Sequence, residues 1–192
     1  MSEKTNTKDA TDANIIRRAT MGEQMAIEGR YTFQCFGPDG KLKWEDDIEN
    51  TIMTLGKNSI LDTYFGLTSI ASIYMGLISL ASYVSVPVIG DTLASHPTWT
   101  EAGGTNAPTY TAPRKTPTFV AASGGVKNAI ATPCVFPILT SGTVKGSFLV
   151  TLNSTIDNTA TGVLVSAGLF TGGDKVVSNG DTLNGTYAIT LT

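Results

Sequence analysis

The chain's single histidine is the first place to look for reactive chemistry. His96 sits in the stretch DTLASHPTW, directly after Ser95 and close behind Asp91. Serine, histidine and aspartate are the parts of a nucleophilic relay, in which the imidazole takes the hydroxyl proton and the carboxylate orients the ring. The spacing speaks against such a relay here. Adjacent side chains diverge on most backbones, and no G-x-S-x-G elbow occurs to present the serine. His96 is therefore expected to be structural, packed beside Pro97 and Trp99 in a loop.

The other candidate groups lead the same way. Asp46–Asp47 and Glu45–Glu49 are carboxylate pairs, but glycoside hydrolysis needs two carboxyl groups facing each other across a cleft. These four cluster on one strand and read as a solvated acidic edge. No D-x-D-x-D-G loop is present to hold calcium. Leu55-Gly56-Lys57-Asn58-Ser59 resembles the end of a phosphate loop, yet the upstream glycine at the required spacing is missing. Cys35 and Cys134 are far apart, form no C-x-x-C or Cys/His cluster, and read as buried free thiols. No catalytic, cofactor-binding or metal-binding residue is predicted, and the chain is not expected to be an enzyme.

The elements that would position these groups are mostly strands. Arg30–Phe36 alternates Tyr31, Phe33 and Cys35 against Thr32 and Gln34. Pro38-Asp39-Gly40 is a turn, because proline fixes φ and glycine accepts a positive one. Lys41–Glu45 completes a hairpin, and Ile48–Met53 is a short apolar stretch. Leu55–Phe65 has helical period, with Ile60, Leu61, Tyr64 and Phe65 expected to dock on a sheet, Thr54 as N-cap and Gly66 as the residue that ends the helix.

Beyond residue 67 the pattern is β. Ile73–Ser79, Tyr83–Ile89, Val144–Leu152 and Val163–Phe170 are predicted strands, the last one buried. Gly90–Gly104 reads as loop or a helical turn. Tyr110–Pro113 and Pro117–Ala122 are predicted edge strands, and two prolines exclude Ala129–Leu139 from a sheet centre. Gly172-Gly173-Asp174 is a turn. Asn179-Gly180 signals a tight hairpin from Lys175–Val177 into Asp181–Thr192. Together these predict an all-β protein: a jelly-roll-like antiparallel β-sandwich over residues 29–192 with one short helix.

Residues 1–28 read as an extended N-terminal arm. They are polar, hold no aromatic residue, and lack strand alternation. Ala13–Met25 could form a short helix around Ile15, Ile16, Met21 and Met25, but a helix of that length is marginal alone. Ile15, Ile16, Arg17, Arg18, Met21 and Met25 are therefore the candidate partner-binding residues, ordered on contact with another surface. The start of the chain lacks an apolar signal segment, so synthesis in a reducing cytoplasm is expected.

Charge is distributed unevenly along the 192 residues. Residues 1–62 hold 8 basic and 11 acidic residues; residues 63–192 hold only 5 of each. A fold so poor in charge is expected to meet other protein over much of its surface. The net charge of −3, with no basic run longer than the pairs Arg17–Arg18 and Arg114–Lys115, argues against nucleic-acid binding. Residues 63–90 carry no charge. Small polar residues and Pro87 interrupt them, and Asp62 and Asp91 rather than basic residues flank them, so they read as buried strands and not as a membrane span.

The segment YTFQCFGPDGKLKWEDDIENTIMTLGKNSILD resembles the N-terminal part of a group of tailed-bacteriophage virion proteins, in which a strand–turn–strand leads into N-x-(aliphatic)-x-x-x-G and a short helix. Asn50 to Gly56 and Ile60–Leu61 fill those places. DTLASHPTWTE is similar to the group's central loop, through Asp91, Ala94, Ser95, His96, Trp99 and Glu101, and GDTLNGTYAITLT is similar to its terminal strand. The match covers about a third of the chain. The longer arm and the Pro-rich stretch from Ala107 to Pro137 depart from it. The resemblance implies a head-associated structural protein: a capsid cement or decoration protein on the virion's capsid surface. It would be a homo-oligomer, dimer or trimer, bound to the major capsid protein, with no cofactor, nucleic acid or membrane. The alternative is a phage fiber or receptor- or glycan-binding β-domain, with Trp99, Tyr110 or Tyr83 as a sugar platform.

Overall fold

A computed structural model describes residues 26–67, 69, 71–128, 132–153 and 161–192. The expected arm helix, with Ile15, Ile16, Arg17, Arg18, Met21 and Met25, lies outside the described residues.

Ten strands and one helix follow in chain order: β1 Ile27–Phe36, β2 Leu42–Ile52, α1 Thr54–Tyr64, β3 Tyr74–Ser79, β4 Thr100–Glu101, β5 Val126–Asn128, β6 Cys134–Pro137, β7 Gly142–Val150, β8 Leu164–Leu169, β9 Lys175–Val177 and β10 Thr182–Leu191. Every strand pairing among the described residues is antiparallel. The first sheet places β1 between β2 and β10, with β5 and β6 end to end on the far side of β10. The second places β7 between β3 and β8, with β9 continuing along β8's side and β4 at the β3 edge. β2 is long enough to serve both: it pairs β1 along most of its length, then pairs β8 through Thr51 and Ile52. The result is an all-β sandwich whose two sheets share a strand at one corner.

The first sheet shows the alternation of a sheet with one wet face. Tyr31, Phe33 and Cys35 are buried while Thr32 and Gln34 are exposed, and Leu183, Gly185 and Tyr187 repeat the pattern on β10. These residues meet Met75, Leu77, Leu149 and Val165 of the second sheet in the main core. The sheets are also joined by a hydrogen bond 2.6 Å long between Tyr31 Oη and Ser166 Oγ. The second sheet is buried on both faces. Its outer face carries Ile78, Phe148, Val150, Leu164 and Ala167, which pack with Leu93 and Trp99 of the long segment between β3 and β5.

The hairpin at Pro38-Asp39-Gly40 forms as expected: Gly40 has φ 76°, and the Lys41 N–H donates to Asp39 Oδ1. The helix ends as expected too. Gly66 has φ 77°, its N–H reaches the Thr63 carbonyl, and the Leu67 N–H reaches Asp62, a Schellman closure. The expected N-cap does not form; Thr54 Oγ1 instead donates to the Ile89 carbonyl.

Four expectations are corrected. β1 begins at Ile27, ahead of Arg30, because Ala26 to Glu28 find partners on the last residues of the chain. Tyr83–Ile89 is no strand: Val84 and Ser85 bond to the Thr98 carbonyl, no ladder partner is left for the rest, and Val84, Val86 and Val88 face solvent. Tyr110–Pro113 makes one isolated bridge, Tyr110–Ile138, and Pro117–Ala122 makes none, since prolines remove the donors a ladder needs. Asn179-Gly180 turns the chain tightly, but β9 pairs β7 while β10 pairs β1, β5 and β6, so the turn carries the chain from one sheet to the other.

The helix seats on β8 through its only buried residue, Gly56. A Cβ there would lie 2.3 Å from the Val165 carbonyl oxygen, and backbone cannot swing aside as a side chain can. In an open helix Gly→Ala stabilises by up to about 1 kcal/mol. Here overpacking wins, and Gly56→Ala is expected to destabilise the protein by about 1–3 kcal/mol. Urea denaturation followed by circular dichroism measures it, and a stabilised variant would show that the helix does not seat this closely.

Candidate functional surface

The residues singled out for chemistry are all held in structural roles. His96 is buried and stacked on Trp99, with ring centroids 3.9 Å apart, and its Nδ1 lies 3.0 Å from the Trp99 carbonyl. Asp91 accepts from Trp99 Nε1 at 2.9 Å and from the Val88 N–H at 3.0 Å. Ser95 stands exposed on its own turn. His96 and Asp91 thus lock the loop over the second sheet through Trp99, and His96 packs beside Trp99 as anticipated.

The acidic strand is likewise tied down. Asp46 accepts from Lys175 Nζ at 2.6 Å, Thr171 Oγ1 at 2.8 Å and the Gly172 N–H at 2.9 Å, while Asp47 pairs with Arg30 and Glu45 with Gln34. Burial alone would raise the Asp46 carboxyl, but these donors and the Asp47 N–H outweigh it and hold it below the usual aspartate value. Asp181 follows the same balance. Burial pushes it up, while Lys43 Nζ at 2.5 Å and the Ser178 N–H at 2.8 Å bring it below its ordinary value. Cys35 and Cys134 are both buried, which pushes each thiol up to about 12, with the Asp181 charge adding to the effect at Cys35. Thiols so raised are poor nucleophiles. Among the described residues no group of three or more His, Cys, Asp or Glu could hold a metal ion. The Gly56–Ser59 stretch is inside α1, with Gly56 against β8. Among the described residues no helix is long and apolar enough to cross a membrane.

One charged pair lies deep in the covering layer. Arg114 donates to both oxygens of Glu101, from Nε at 2.8 Å and from Nη2 at 2.5 Å, and through Nη1 to the Leu152 carbonyl at 2.8 Å. The guanidinium carbon also lies 5.3 Å from the centroid of the Phe148 ring. Both side chains are essentially out of solvent. A bidentate, fully hydrogen-bonded pair is the arrangement in which burying two charges is tolerable.

Several large apolar side chains are left in solvent. Tyr64 is 81% exposed, Phe65 77%, Leu67 76% and Val84 75%, and Leu61, Val86, Val88 and Ile89 are also exposed. Tyr64 and Phe65 contact each other edge to face, with centroids 5.1 Å apart, and both are largely exposed. The helix's apolar stripe was expected to dock on the sheet. Only Ile60 of that stripe is half-buried; Leu61, Tyr64 and Phe65 face away, because the side bearing Gly56 is the one that lets the helix backbone come this close to β8. The Ile89 carbonyl accepts from both Thr54 N–H and Thr54 Oγ1, so the apolar end of the 84–89 loop adjoins the start of the same helix. Leu61, Tyr64 and Phe65 were visible in the sequence, but their direction was not. The exposed valines were hidden by an alternation that mimics a buried strand. Trp99 and Tyr110, suggested as a sugar platform, are buried, and Tyr83 lies under Lys145 with Nζ 4.2 Å from its ring centroid.

No family model matches the chain, and no curated protein matches it.

Two outcomes follow from the buried polar groups. Arg114→Ala strands the Glu101 carboxylate and is expected to cost about 3–5 kcal/mol in chemical denaturation, with Arg114→Lys recovering only part because it cannot bind both oxygens. Asp46 and Asp181 are depressed in the folded state. The stability they contribute is complete above the unfolded value of about 4 and is lost as pH falls through their lower folded values. Denaturation between pH 6 and 2 should therefore show a fall below pH about 4 that is shallower in Asp181→Asn; an unchanged acid limb would contradict the assignment.

Proposed function

We propose that this chain is a structural protein of a tailed-bacteriophage virion that binds and stabilises the capsid shell as a cement or decoration protein, assembling as a small homo-oligomer. The observation that carries the reading is the exposed aromatic pair Tyr64–Phe65 on an otherwise well-anchored helix. Large exposed apolar patches on a folded protein mark interaction sites, and aromatic side chains are the usual anchors of protein interfaces. The low charge of residues 63–192 supports the same reading, since charged residues are depleted at the centres of such interfaces. The resemblance of the hairpin, the central loop and the last strand to head-associated virion proteins supplies the partner: the major capsid protein.

A surface that serves adhesion must be rigid before contact, or ordering it would consume the affinity. Here the Schellman closure at Gly66 and the seat at Gly56 fix α1, and the Thr54–Ile89 contacts fix the neighbouring loop.

The experiment is reconstitution of purified protein onto capsids that lack it, scored by co-sedimentation and by particle melting. Wild-type protein is expected to bind and raise the temperature of genome release. The double variant Tyr64→Ser/Phe65→Ser, altered only at exposed positions, is expected to fold normally and to bind about 10- to 100-fold more weakly. Equal binding by the variant, or particles no more stable with the protein than without it, would refute the reading. Binding confined to host cells or a glycan array would establish the receptor-binding alternative instead.

A further inference from the structure

The two sheets share β2 at one corner, but the backbone ladder there is short. β2 pairs β8 only through Thr51 and Ile52, and from Leu42 to Asn50 it has a ladder only with β1. Beyond those two residues the corner is closed by side chains. Trp44 Nε1 donates to the Val176 carbonyl of β9 at 3.3 Å. Asp46 accepts from Lys175 Nζ, Thr171 Oγ1 and the Gly172 N–H, and the Asp47 carbonyl accepts from the Thr171 N–H at 3.0 Å. The turn can come this close because Gly172 has no side chain: a Cβ there would lie 2.4 Å from Asp46 Oδ2. Next to this clasp lies Phe170, edge-on to Phe33 and Trp44 with centroids 5.5 and 5.6 Å away.

We infer that this clasp is an acid-released latch: protonation of Asp46 parts the two sheets along the β2–β9 seam, with the Thr51–Ile52 ladder left as the hinge and each sheet intact. Asp46 is the acceptor that three donors of the second sheet share, so the loss of its charge acts on all of them at once. Hydrogen bonds to an ionised acceptor are about twice as strong as neutral ones. The Lys175 side chain is 15% exposed and that of Asp46 9%. A protonated Asp46 leaves the ammonium enclosed beside the Trp44 ring, 5.8 Å from its centroid, without its counter-charge. Lys175 regains hydration by turning outward, and β9 then loses its grip on β2.

The other charged groups on the elements packed here are engaged with one another: Lys145 of β7 with Asp174 of the turn, Arg30 of β1 with Asp47, and Lys43 with Asp181. Glu45 is held by Gln34, and Glu49 stands two residues before the hinge. Burial raises the Asp46 carboxyl, and Lys175, Thr171 and the Asp47 and Gly172 N–H groups bring it below its ordinary value. The clasp is therefore closed above that ordinary value of about 4 and is released as pH falls through the lower folded value. Side-chain bonds hold the seam, whereas ladders and core packing hold each sheet, so the seam opens at lower cost than the whole fold. The inference goes beyond the virion reading and does not need it.

Hydrogen exchange followed by NMR tests it. The readouts are the Thr171 amide and the Trp44 indole N–H, because neither bonds to Asp46 itself and a merely local loss would leave both protected. Between pH about 6 and about 2, after correction for intrinsic exchange, both are expected to lose protection at least about tenfold while the β1–β10 ladder keeps its own. Asp46→Ala should free the same two groups at pH about 7; if that variant fails to fold, the pH series on the wild type decides. Unchanged protection across the series, or in a folded Asp46→Ala, would overturn the inference. So would loss of protection in the β1–β10 ladder at the same pH, which would show that acid unfolds the whole sandwich and no seam opens first.

Discussion

The second sheet is apolar on both faces, and the rest of the molecule follows from the need to cover both. The inner face is covered by the first sheet, which can do so with an ordinary alternating pattern. Among the described residues, the outer face has no third sheet and no long helix above it. It is covered by the irregular segment from Leu80 onward, which brings Leu93 and Trp99 over Phe148 and Ile78. Irregular chain over an apolar surface has a specific difficulty: its peptide groups lack ladder partners, and each one left buried and unpaired costs about 1–3 kcal/mol. That equals the gain from burying a large apolar side chain, about 1.5–3 kcal/mol. The layer offsets this by pairing many of its polar groups, with Thr98 Oγ1 an exception. Ser79 Oγ donates to the Ala107 carbonyl, Trp99 Nε1 to Asp91, Asn106 Nδ2 to the Glu101 carbonyl, and Arg114 to Glu101 and Leu152.

This demand explains how the few charges of the later chain are used. Each of the five basic residues after residue 63 is engaged internally: Arg114 with Glu101, Lys115 with the Thr111 carbonyl, Lys127 with the Val120 carbonyl, Lys145 with Asp174 and Lys175 with Asp46. Asp91 and Asp181 are spent on Trp99 and Lys43 in the same way. Charge that fastens loops is not available to keep neighbouring molecules apart. The low charge content read from the sequence therefore has a structural cause, and the exposed apolar side chains of α1 and the 84–89 loop are set in a surface with little to repel a protein partner.

The parts of this arrangement that were legible in the sequence are the local ones. The Pro38-Asp39-Gly40 hairpin, the helix stop at Gly66 and the buried run of β8 depend on neighbours within a few residues, and each formed as read. The two-sheet class was legible for the same reason, from many short strands and frequent turns. What failed was pairing at a distance. The alternation of Tyr83 to Ile89 and the Asn179-Gly180 turn are both correct local signals, yet the first has no strand beside it and the second leads away from the strand before it. The direction of the helix was illegible because the seat is set by an absence, the missing side chain of Gly56, and hydrophobic periodicity weighs only what is present. The arm residues expected to bind a partner lie outside the described residues. The aromatic pair on α1 could be placed in solvent only with the sheet in view.

The sheet edges narrow the kind of adhesion available. A protein that joins neighbours by strand addition needs a long, unpaired edge. Here the β4 edge is two residues long, β5 has three residues, with Val120 bonded to Asn128 on its outer side, and β6 ends in Pro137. These edges are blunt and favour contact through side chains over shared backbone ladders, whereas Leu42–Asn50 of β2 has a ladder only with β1. Side-chain contact draws its energy from apolar area, which is what α1 and the adjoining loop display. The remaining concave apolar surface, the groove beside Ile60, lies where the chain enters the sheet at Ile27. Tyr64 lines a hollow beside Ile60 as well as standing in solvent, so the concave and convex apolar surfaces are continuous along α1 and a partner seated on one would reach the other.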